Sequence, residues 1–207
     1  MAERKPLLVF AHRGEAKAFF RNQSFRQIPF AFPGLYESSR ELLLISGEGV
    51  NMALAKTAAI CGAFPEGVNT LINFGIAGSL NAVLEIGKIY SVRIAFLEAE
   101  QSVANDIFYS ADPTARYDCI SAQQRVMNKF YAARLAPLAH MVDREAWAVG
   151  YVSRLFNIPF SAFKLISDVP AEEVSLEKIN HNIDEYSERL YQFYRQHLCE
   201  TETVSSK

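Results

Sequence analysis

The stretch Leu71-Ile72-Asn73-Phe74-Gly75-Ile76-Ala77-Gly78-Ser79-Leu80 decides the fold that we predict for this chain. Its first four residues suit a buried parallel strand, and the Gly-x-Ala-Gly segment after them indicates a turn where the backbone closely approaches another group. In an open α/β sheet, small ligands bind at the carboxyl ends of the strands. The turn is therefore the first candidate for a ligand site, and a tight strand-to-helix turn without a ligand explains it equally well.

Other apolar runs fit the same α/β pattern. The run Leu7–Ala11 predicts a first strand that leads through His12-Arg13-Gly14 into a first helix. We also predict strands in 41–45, where a hairpin or strand pair fits, and in 68–74, 86–95, 117–121 and 158–166. Helices are predicted over 52–64, 124–138, 142–152 and 176–198, and Ser175 caps the last one. Residues 97–116 are predicted to form a loop. The pattern predicts one α/β domain over residues 1–207.

Composition and charge limit the classes of partner. The chain has 207 residues, of which 50% are hydrophobic and 21% charged, and this profile is typical of a soluble globular protein. The 21 basic and 23 acidic residues leave a net charge of −2, so no broad basic surface indicates nucleic-acid binding. We therefore expect a small-molecule partner and no nucleic-acid partner.

Cysteine and histidine usage argues against a disulfide framework and against a metal site. The three cysteines are an odd number without CxxC spacing, and Cys61 lies among small apolar residues typical of a core. The four histidines are too scattered for a usual metal centre. The charged start and the short apolar run after it fit neither a signal peptide nor a membrane span. We expect no metal, no cofactor, no membrane partner and a cytoplasmic location.

Three acidic residues stand out because of their context. Glu15 follows the first strand, where a carboxylate in the first turn of a helix is also favoured by the helix dipole alone. Glu145 lies in a predicted helix with apolar residues on nearly every side, where an ionised carboxylate is costly unless a distant arginine or a ligand pairs with it. Asp168 follows a buried strand and so shares a sheet edge with Gly75–Gly78.

A second glycine pair lies between a predicted strand and a predicted helix. Ser46-Gly47-Glu48-Gly49 precedes a helix rich in small residues, and such loops bind phosphates and sugars through bare backbone N–H groups. The third glycine of a dinucleotide fingerprint is absent, so this signal alone is weak.

The order of these motifs resembles the nucleoside phosphorylase and nucleosidase superfamily. The matching segments are Ser46–Gly49, Asn73–Leu80 followed by Ile86–Ile89, Asp143-Arg144-Glu145-Ala146, and Ile166-Ser167-Asp168. The nearest pattern is that of the methylthioadenosine/S-adenosylhomocysteine nucleosidases, with futalosine hydrolase as a close relative, and it covers about residues 7 to 195. The resemblance implies a single α/β domain with a twisted, mixed central sheet flanked by helices, in a homo-oligomer with a dimer favoured.

The resemblance also implies roles for individual residues. Asp168 matches the general acid that protonates the purine N7, Glu15 the residue that activates the attacking water, and Glu145 the carboxylate that holds the ribose hydroxyls. Cleavage of an N-glycosidic bond needs such an acid and such a base on opposite sides of the bond. The remaining matches to the substrate site are Ala77 and Gly78 beside the sugar and base, Gly49 near the nucleophile, and Ser167 next to the acid.

Three positions differ from the family's pattern and leave the substrate open. Ile76 stands where the nucleosidases usually have Ser or Thr, and Arg144 replaces a methionine that packs against the sugar. Arg125 lies in the segment that carries a phenylalanine stacked on adenine. We count Ile76, Arg144 and Arg125 as substrate-binding positions of an altered site.

The functional hypothesis is a nucleosidase that hydrolyses a purine-type nucleoside, which is similar to methylthioadenosine/S-adenosylhomocysteine or to futalosine. Asn73 stands where the phosphorylases place an arginine, which favours water over phosphate as the nucleophile. Two alternatives stay open. One is a non-catalytic, nucleoside-binding descendant, and the other is a phosphorylase that binds phosphate through Arg13, Arg21 or Arg93.

Overall fold

A computed structural model of the chain describes residues 4–99, 103–170 and 176–199. Within them, the strands are β1 (Lys5–Phe10), β2 (Arg26–Gln27), β3 (Leu35–Glu37), β4 (Leu42–Ile45), β5 (Val68–Ser79), β6 (Ile89–Glu98), β7 (Val103–Tyr109), β8 (Tyr117–Ser121), β9 (Met141–Asp143) and β10 (Phe160–Asp168). The helices are α1 (Lys17–Asn22), α2 (Val50–Ala63), α3 (Lys129–Leu135), α4 (Ala146–Phe156) and α5 (Leu176–His197). This order of strands and helices confirms the α/β class.

The strands form one mixed, twisted sheet that partly closes on itself. The path runs β10-β6-β8-β9-β5-β1-β4-β3-β2, and β10 also pairs with β5, so five strands make a ring from which β1, β4, β3 and β2 extend. Strands β1, β4, β5 and β10 run parallel to their partners in this region, whereas β6 pairs with β10 in antiparallel orientation. The carboxyl ends of β1, β4, β5 and β10 therefore lie at one edge of the sheet.

Helices cover both faces of the sheet, as the resemblance implied. On one face, α4 packs against β5 and β10 and α2 packs against α4, and the buried side chains of this layer include Ile60, Cys61 and Val152. On the other face, α1 and α5 bury an aromatic cluster in which the Phe19 ring contacts those of Phe74 and Tyr191. Burial of this apolar surface is the main stabilising contribution to the fold.

The glycine segment after Phe74 is strand, not a turn. Strand β5 continues to Ser79 because both neighbours supply hydrogen-bonding partners: Gly75 aligns with Lys164, and Gly78 with Asp168 and with Val142. Neither glycine has a positive φ. The predicted turn is therefore wrong, and the glycines serve close approach of side chains to a continuous strand.

Four further boundaries differ from the predictions. Residues 97–116 hold the end of β6 and all of β7 instead of a loop, and the predicted helix 142–152 is divided into β9 and α4. The predicted helix 124–138 shrinks to α3, because the Asn128 side chain caps it by accepting the Tyr131 N–H at 2.9 Å. Helix α1 begins at Lys17, so Glu15 is not in its first turn.

The remaining strand predictions are confirmed with shifts of a few residues, and the strand pair near 41–45 is the antiparallel pair β3–β4. The long final helix is confirmed as α5, and its predicted cap Ser175 lies outside the described residues. None of the helices in the described ranges is long and apolar enough to cross a lipid bilayer.

Candidate active site

A cavity of about 470 Å³ opens at the carboxyl ends of β1, β5 and β10. Nine of the ten residues that the sequence assigns to the site line it. They are Glu15, Ile76, Ala77, Gly78, Arg125, Arg144, Glu145, Ser167 and Asp168. The tenth, Gly49, contacts the site through its backbone N–H, which donates to Glu145. The chain thus brings these residues together at the sheet edge.

Glu15 is buried and is held by backbone N–H groups from the segment after β1 and from β5. Its Oε2 accepts the N–H of His12 at 3.0 Å, and its Oε1 accepts the N–H of Ile76 at 3.0 Å. A Cβ atom at Gly75 would lie only 3.0 Å from Oε1, so the glycine makes room for the carboxylate. Because each carboxylate oxygen has a second lone pair, Glu15 can still accept a proton or a hydrogen bond from a molecule in the cavity.

A buried ion pair lies beneath the cavity, and the sequence analysis missed it. Lys164 Nζ lies 2.7 Å from Asp143 Oδ2, and both side chains are almost fully buried. Burial alone would raise the pKa of Asp143, but the charge of Lys164 together with the hydrogen bonds that the carboxylate accepts outweighs burial, and the pKa is lowered. Asp143 also accepts the Ser121 hydroxyl at 2.6 Å and the Ala146 N–H at 2.8 Å. A signal existed in the sequence: Lys164 is the one charged residue inside an apolar strand.

Glu145 lies between β9 and α4, directly before the first residue of α4. Its Oε1 accepts the Gly49 N–H at 2.7 Å, which ties α4 to the start of α2. Burial raises the pKa of Glu145 to about 7, and the charge of Asp143 acts in the same direction while Lys164 opposes it. The local anomaly predicted for this carboxylate is thus real, and a backbone amide is the partner it has here.

Asp168 ends β10 and accepts a hydrogen bond from the neighbouring Ser167 hydroxyl. Burial raises the pKa of Asp168 above its ordinary value, while the Ser167 hydrogen bond and the charge of Arg125 oppose the shift. A carboxyl group with a raised pKa can carry a proton closer to neutral pH. Asp168 therefore has the environment of a proton donor.

Four charged or titratable side chains meet at the mouth of the cavity. Glu48 Oε1 lies 2.5 Å from His12 Nε2 and 2.9 Å from Arg125 Nη2, and Glu48 Oε2 lies 2.6 Å from Arg144 Nη1. Burial would raise the pKa of Glu48, but the His12 hydrogen bond and the arginine charges lower it overall. We call His12, Glu48, Arg125 and Arg144 the mouth cluster. Sequence analysis had not singled out His12 or Glu48 for the site.

The three arginines considered as phosphate ligands lie elsewhere. Arg13 stacks on the Phe20 ring at 4.2 Å and donates to the Tyr36 hydroxyl. The other two, Arg21 and Arg93, pair with Glu188 and Asp118. None of the three lines the cavity in the described residues. Those residues also contain no group of three or more His, Cys, Asp or Glu that could hold a metal ion, and the absence of metal stays a prediction.

Comparison with solved structures finds the same fold in bacterial nucleosidases. A futalosine hydrolase mutant of Helicobacter pylori has a TM-score of 0.81 at 17% identity, covering 93% of this chain and 97% of that one. The Helicobacter pylori 5'-methylthioadenosine/S-adenosyl homocysteine nucleosidase in complex with a substituted pyrrolidin-3-ol has a TM-score of 0.82 at 16% identity, covering 94% and 97%. A Streptococcus pneumoniae MTA/SAH nucleosidase in complex with 8-aminoadenine has a TM-score of 0.78 at 17% identity, covering 91% and 96%.

These likenesses extend over nearly the whole chain and confirm the predicted nucleosidase-like fold. No protein-family model matches the sequence, and no curated protein sequence matches it. At 16–17% identity, the comparisons carry the fold and not the activity.

Proposed function

We propose that the protein is a nucleosidase that hydrolyses the N-glycosidic bond of a purine-type nucleoside to the free base and a free sugar. The observation that carries the proposal is the convergence of Glu15, Glu145 and Asp168 on one cavity, from chain segments up to 153 residues apart. The likeness of the fold to nucleosidases supports the reaction class.

In this reaction, Asp168 donates its proton to N7 of the purine while the C1'–N9 bond breaks and its electron pair goes to the base. The sugar passes through an oxocarbenium-like state. A water molecule attacks C1', and Glu15 accepts the proton that the water loses. Water and nucleoside are thus converted to base and sugar, and the two carboxyl groups exchange their protonation states before solvent restores them.

The surroundings of the two carboxyl groups support this division of roles. Asp168 is half-buried and accepts from a neutral hydroxyl, and its raised pKa favours a proton donor. Glu15 instead faces two backbone N–H donors, one at each oxygen, which is an arrangement suited to an ionised carboxylate. A proton donor and a proton acceptor on one cavity are the minimum that the reaction needs.

Glu145 is proposed to hold the ribose hydroxyls. Its Oε1 is oriented by the Gly49 N–H, and carboxylate oxygens can accept from two vicinal hydroxyls. Ile76, Ala77 and Gly78 form a wall of the same cavity. This wall is proposed to contact the sugar and the base.

The test is incubation of the full chain with a panel of purine nucleosides, including methylthioadenosine and futalosine, with and without inorganic phosphate. Chromatography follows the free base, and a reducing-sugar assay follows the sugar. We expect free base and free sugar without phosphate. A strict requirement for phosphate with formation of sugar 1-phosphate would identify a phosphorylase. Binding without release of base from any nucleoside would identify a non-catalytic descendant.

We also propose a homo-oligomer, with a dimer favoured. Two large, exposed apolar side chains support this: Met127, which lines the cavity, and Phe130 are 51% and 78% exposed in the single chain. A second copy would remove such surface from water. Light scattering coupled to size-exclusion chromatography measures the assembly, and a mass of 23.2 kDa would contradict the proposal. The single-domain organisation over 1–207 and the cytoplasmic location stay predictions.

A further inference from the structure

The mouth cluster contains more positive than negative charge. Two guanidinium groups, Arg125 and Arg144, share the single carboxylate of Glu48, which leaves a formal charge of +1 before any protonation of His12. Of the carboxylates deeper in the cavity, Asp143 is paired with Lys164, and within the described residues Glu15, Glu145 and Asp168 form no ion pair with either arginine. An exposed excess of positive charge at a cavity mouth attracts an anion.

Arg144 retains a hydrogen-bond donor that the protein does not use. Its Nε is buried and, within the described part of the chain, has no hydrogen-bond partner. A buried donor without a partner is costly, and movement of the Arg144 side chain toward a ligand that accepts from it would recover that free energy. The guanidinium of Arg125 is 42% exposed at the side-chain level, so it too can reach a ligand.

The two arginines lie next to the groups that the proposed reaction uses. Arg144 Nη2 lies 3.2 Å from the place of a Cβ on Gly49, whose N–H orients Glu145. The charge of Arg125 acts on Asp168. A nucleoside that contacts Glu145 and Asp168 therefore lies within reach of both guanidinium groups.

We propose that His12, Arg125 and Arg144 form a subsite for an oxyanion carried by the substrate. The inference rests on the proposed nucleosidase function and deepens it: the preferred substrate is a nucleoside that bears an acidic group, either a phosphate or a carboxylate. Planar guanidinium groups bind both kinds of oxyanion through paired, charge-assisted hydrogen bonds. Neutral nucleosides leave the excess charge and the Arg144 Nε uncompensated.

In the free protein, Glu48 occupies this subsite as an internal anion. Its two oxygens accept from both arginines, as the oxygens of a bound phosphate or carboxylate would. Glu48 lies between Gly47 and Gly49, which have φ values of +86° and +92° that favour glycine. The arriving oxyanion displaces Glu48 from the arginines, so Glu48 competes with the substrate for them.

The experiment measures binding by calorimetry for matched pairs: adenosine with adenosine 5'-monophosphate, adenosine with its 5'-carboxylate, and inosine with inosine 5'-monophosphate. At low ionic strength, we expect at least one anionic member of a pair to bind about 10- to 100-fold more tightly than its neutral partner, as expected for one or two charge-assisted hydrogen bonds. The preference decreases in 0.5 M salt, since the mouth of the cavity is open to ions. The phosphate and carboxylate arms distinguish the two sources of the oxyanion.

Variants locate the preference. Arg125→Gln and Arg144→Gln should each remove most of the preference for the anionic member of a pair. The control is Arg154→Gln, which changes an arginine that pairs with Asp106 outside the cavity and should leave the preference intact. Glu48→Gln increases the preference several-fold, because the internal competitor loses its charge. A purely structural ion cluster predicts the opposite for Glu48→Gln, namely weaker binding of both members of each pair.

The experiment distinguishes failure of the oxyanion subsite from failure of the proposed nucleosidase function. Equal affinity for every pair together with hydrolysis of a neutral nucleoside overturns the subsite and leaves the proposed function in place. Loss of affinity by the same factor for neutral and anionic members in Arg125→Gln and Arg144→Gln also overturns the subsite. A dependence of turnover on free phosphate, with binding of inorganic phosphate lost in these variants, overturns both proposals, and so does a failure to bind any nucleoside.

Discussion

At the residue scale, the site depends on carboxyl groups of one chemical type in different surroundings. Partial burial raises the pKa of Asp168 although the Ser167 hydroxyl opposes the shift, whereas Glu15 receives a backbone N–H at each oxygen. Such separation of environments is how enzymes assign acid and base roles to similar side chains. The two residues should therefore respond differently to removal of the carboxyl function.

Asp168→Asn should remove the proton donor while keeping the shape of the side chain. We expect turnover to fall about 10²- to 10⁴-fold, the usual contribution of a general acid. The Ser167 hydroxyl can donate to the new amide oxygen, so the thermal midpoint should change little. Asp106→Asn, an exposed carboxylate outside the cavity, is the matched control. Near-normal turnover in Asp168→Asn would show that another group protonates the base.

Glu15→Gln should reduce both turnover and stability. An amide offers only one acceptor oxygen, so the N–H of His12 or of Ile76 meets an NH₂ group instead of an acceptor. The lost hydrogen bond should cost about 1–3 kcal/mol of unfolding free energy. Denaturant unfolding and initial rates measure the two effects. A variant that loses activity without loss of stability would contradict the hydrogen bonding described for Glu15.

At the element scale, strand β10 combines support and chemistry. It supplies Asp168 at its end and Lys164 in its middle, and the register places Lys164 opposite Gly75, beside Glu15. Lys164 in turn neutralises Asp143 on β9. The ion pair thus ties together the two segments that precede Asp168 and Glu145.

Lys164→Met should destabilise the fold because it leaves Asp143 buried without its cation. Removal of one partner of a buried ion pair costs about 3–5 kcal/mol. Denaturant unfolding should show this loss, and Asp143→Asn in the same chain should restore part of it. Lys88→Met, which removes an exposed ion pair with Glu85, should leave the unfolding midpoint unchanged. No recovery in the double variant would contradict direct pairing of Lys164 with Asp143.

At the scale of the whole molecule, folding gathers several carboxyl groups into one partly buried site and links stability to pH. The pKa of Glu145 is 4.5 before folding and about 7 after it, so between these pH values the folded state holds an extra proton. The free energy of unfolding contributed by this group therefore decreases as the pH rises from about 4.5 to 7.

Glu145→Gln should abolish this pH dependence. Relative to the variant, the unchanged protein should lose up to about 3 kcal/mol of unfolding free energy between pH 4.5 and pH 8, since one pKa unit corresponds to about 1.4 kcal/mol. Comparison of the two proteins cancels contributions from the groups they share. Denaturant titrations at several pH values measure the difference in unfolding free energy between the two proteins. For the control Glu66→Gln, which changes an exposed carboxylate, this difference should not vary with pH. A flat difference for Glu145→Gln would place its pKa near the ordinary value.

The sequence by itself determined the α/β class, most of the strands and part of the set of residues that line the cavity. An apolar run such as Leu7–Ala11 predicts a strand that is buried on both faces, and the prediction needs only neighbouring residues in the sequence. Glu15 and Asp168 follow strand ends, which a parallel arrangement brings to one edge, whereas Glu145 was assigned to the site through the family resemblance. Their separate positions were therefore predictable, and Glu15, Glu145 and Asp168 do line one cavity.

Only the tertiary structure decided where strand β5 ends and which charged side chains form pairs. Residues Gly75–Gly78 stay extended because β10 and β9 supply hydrogen bonds from far along the chain, and no local pattern records those partners. The same holds for the pair of Glu48 with Arg144, which lie 96 residues apart. Local sequence specifies burial and turn preference, whereas the choice among distant partners depends on packing of the whole sheet.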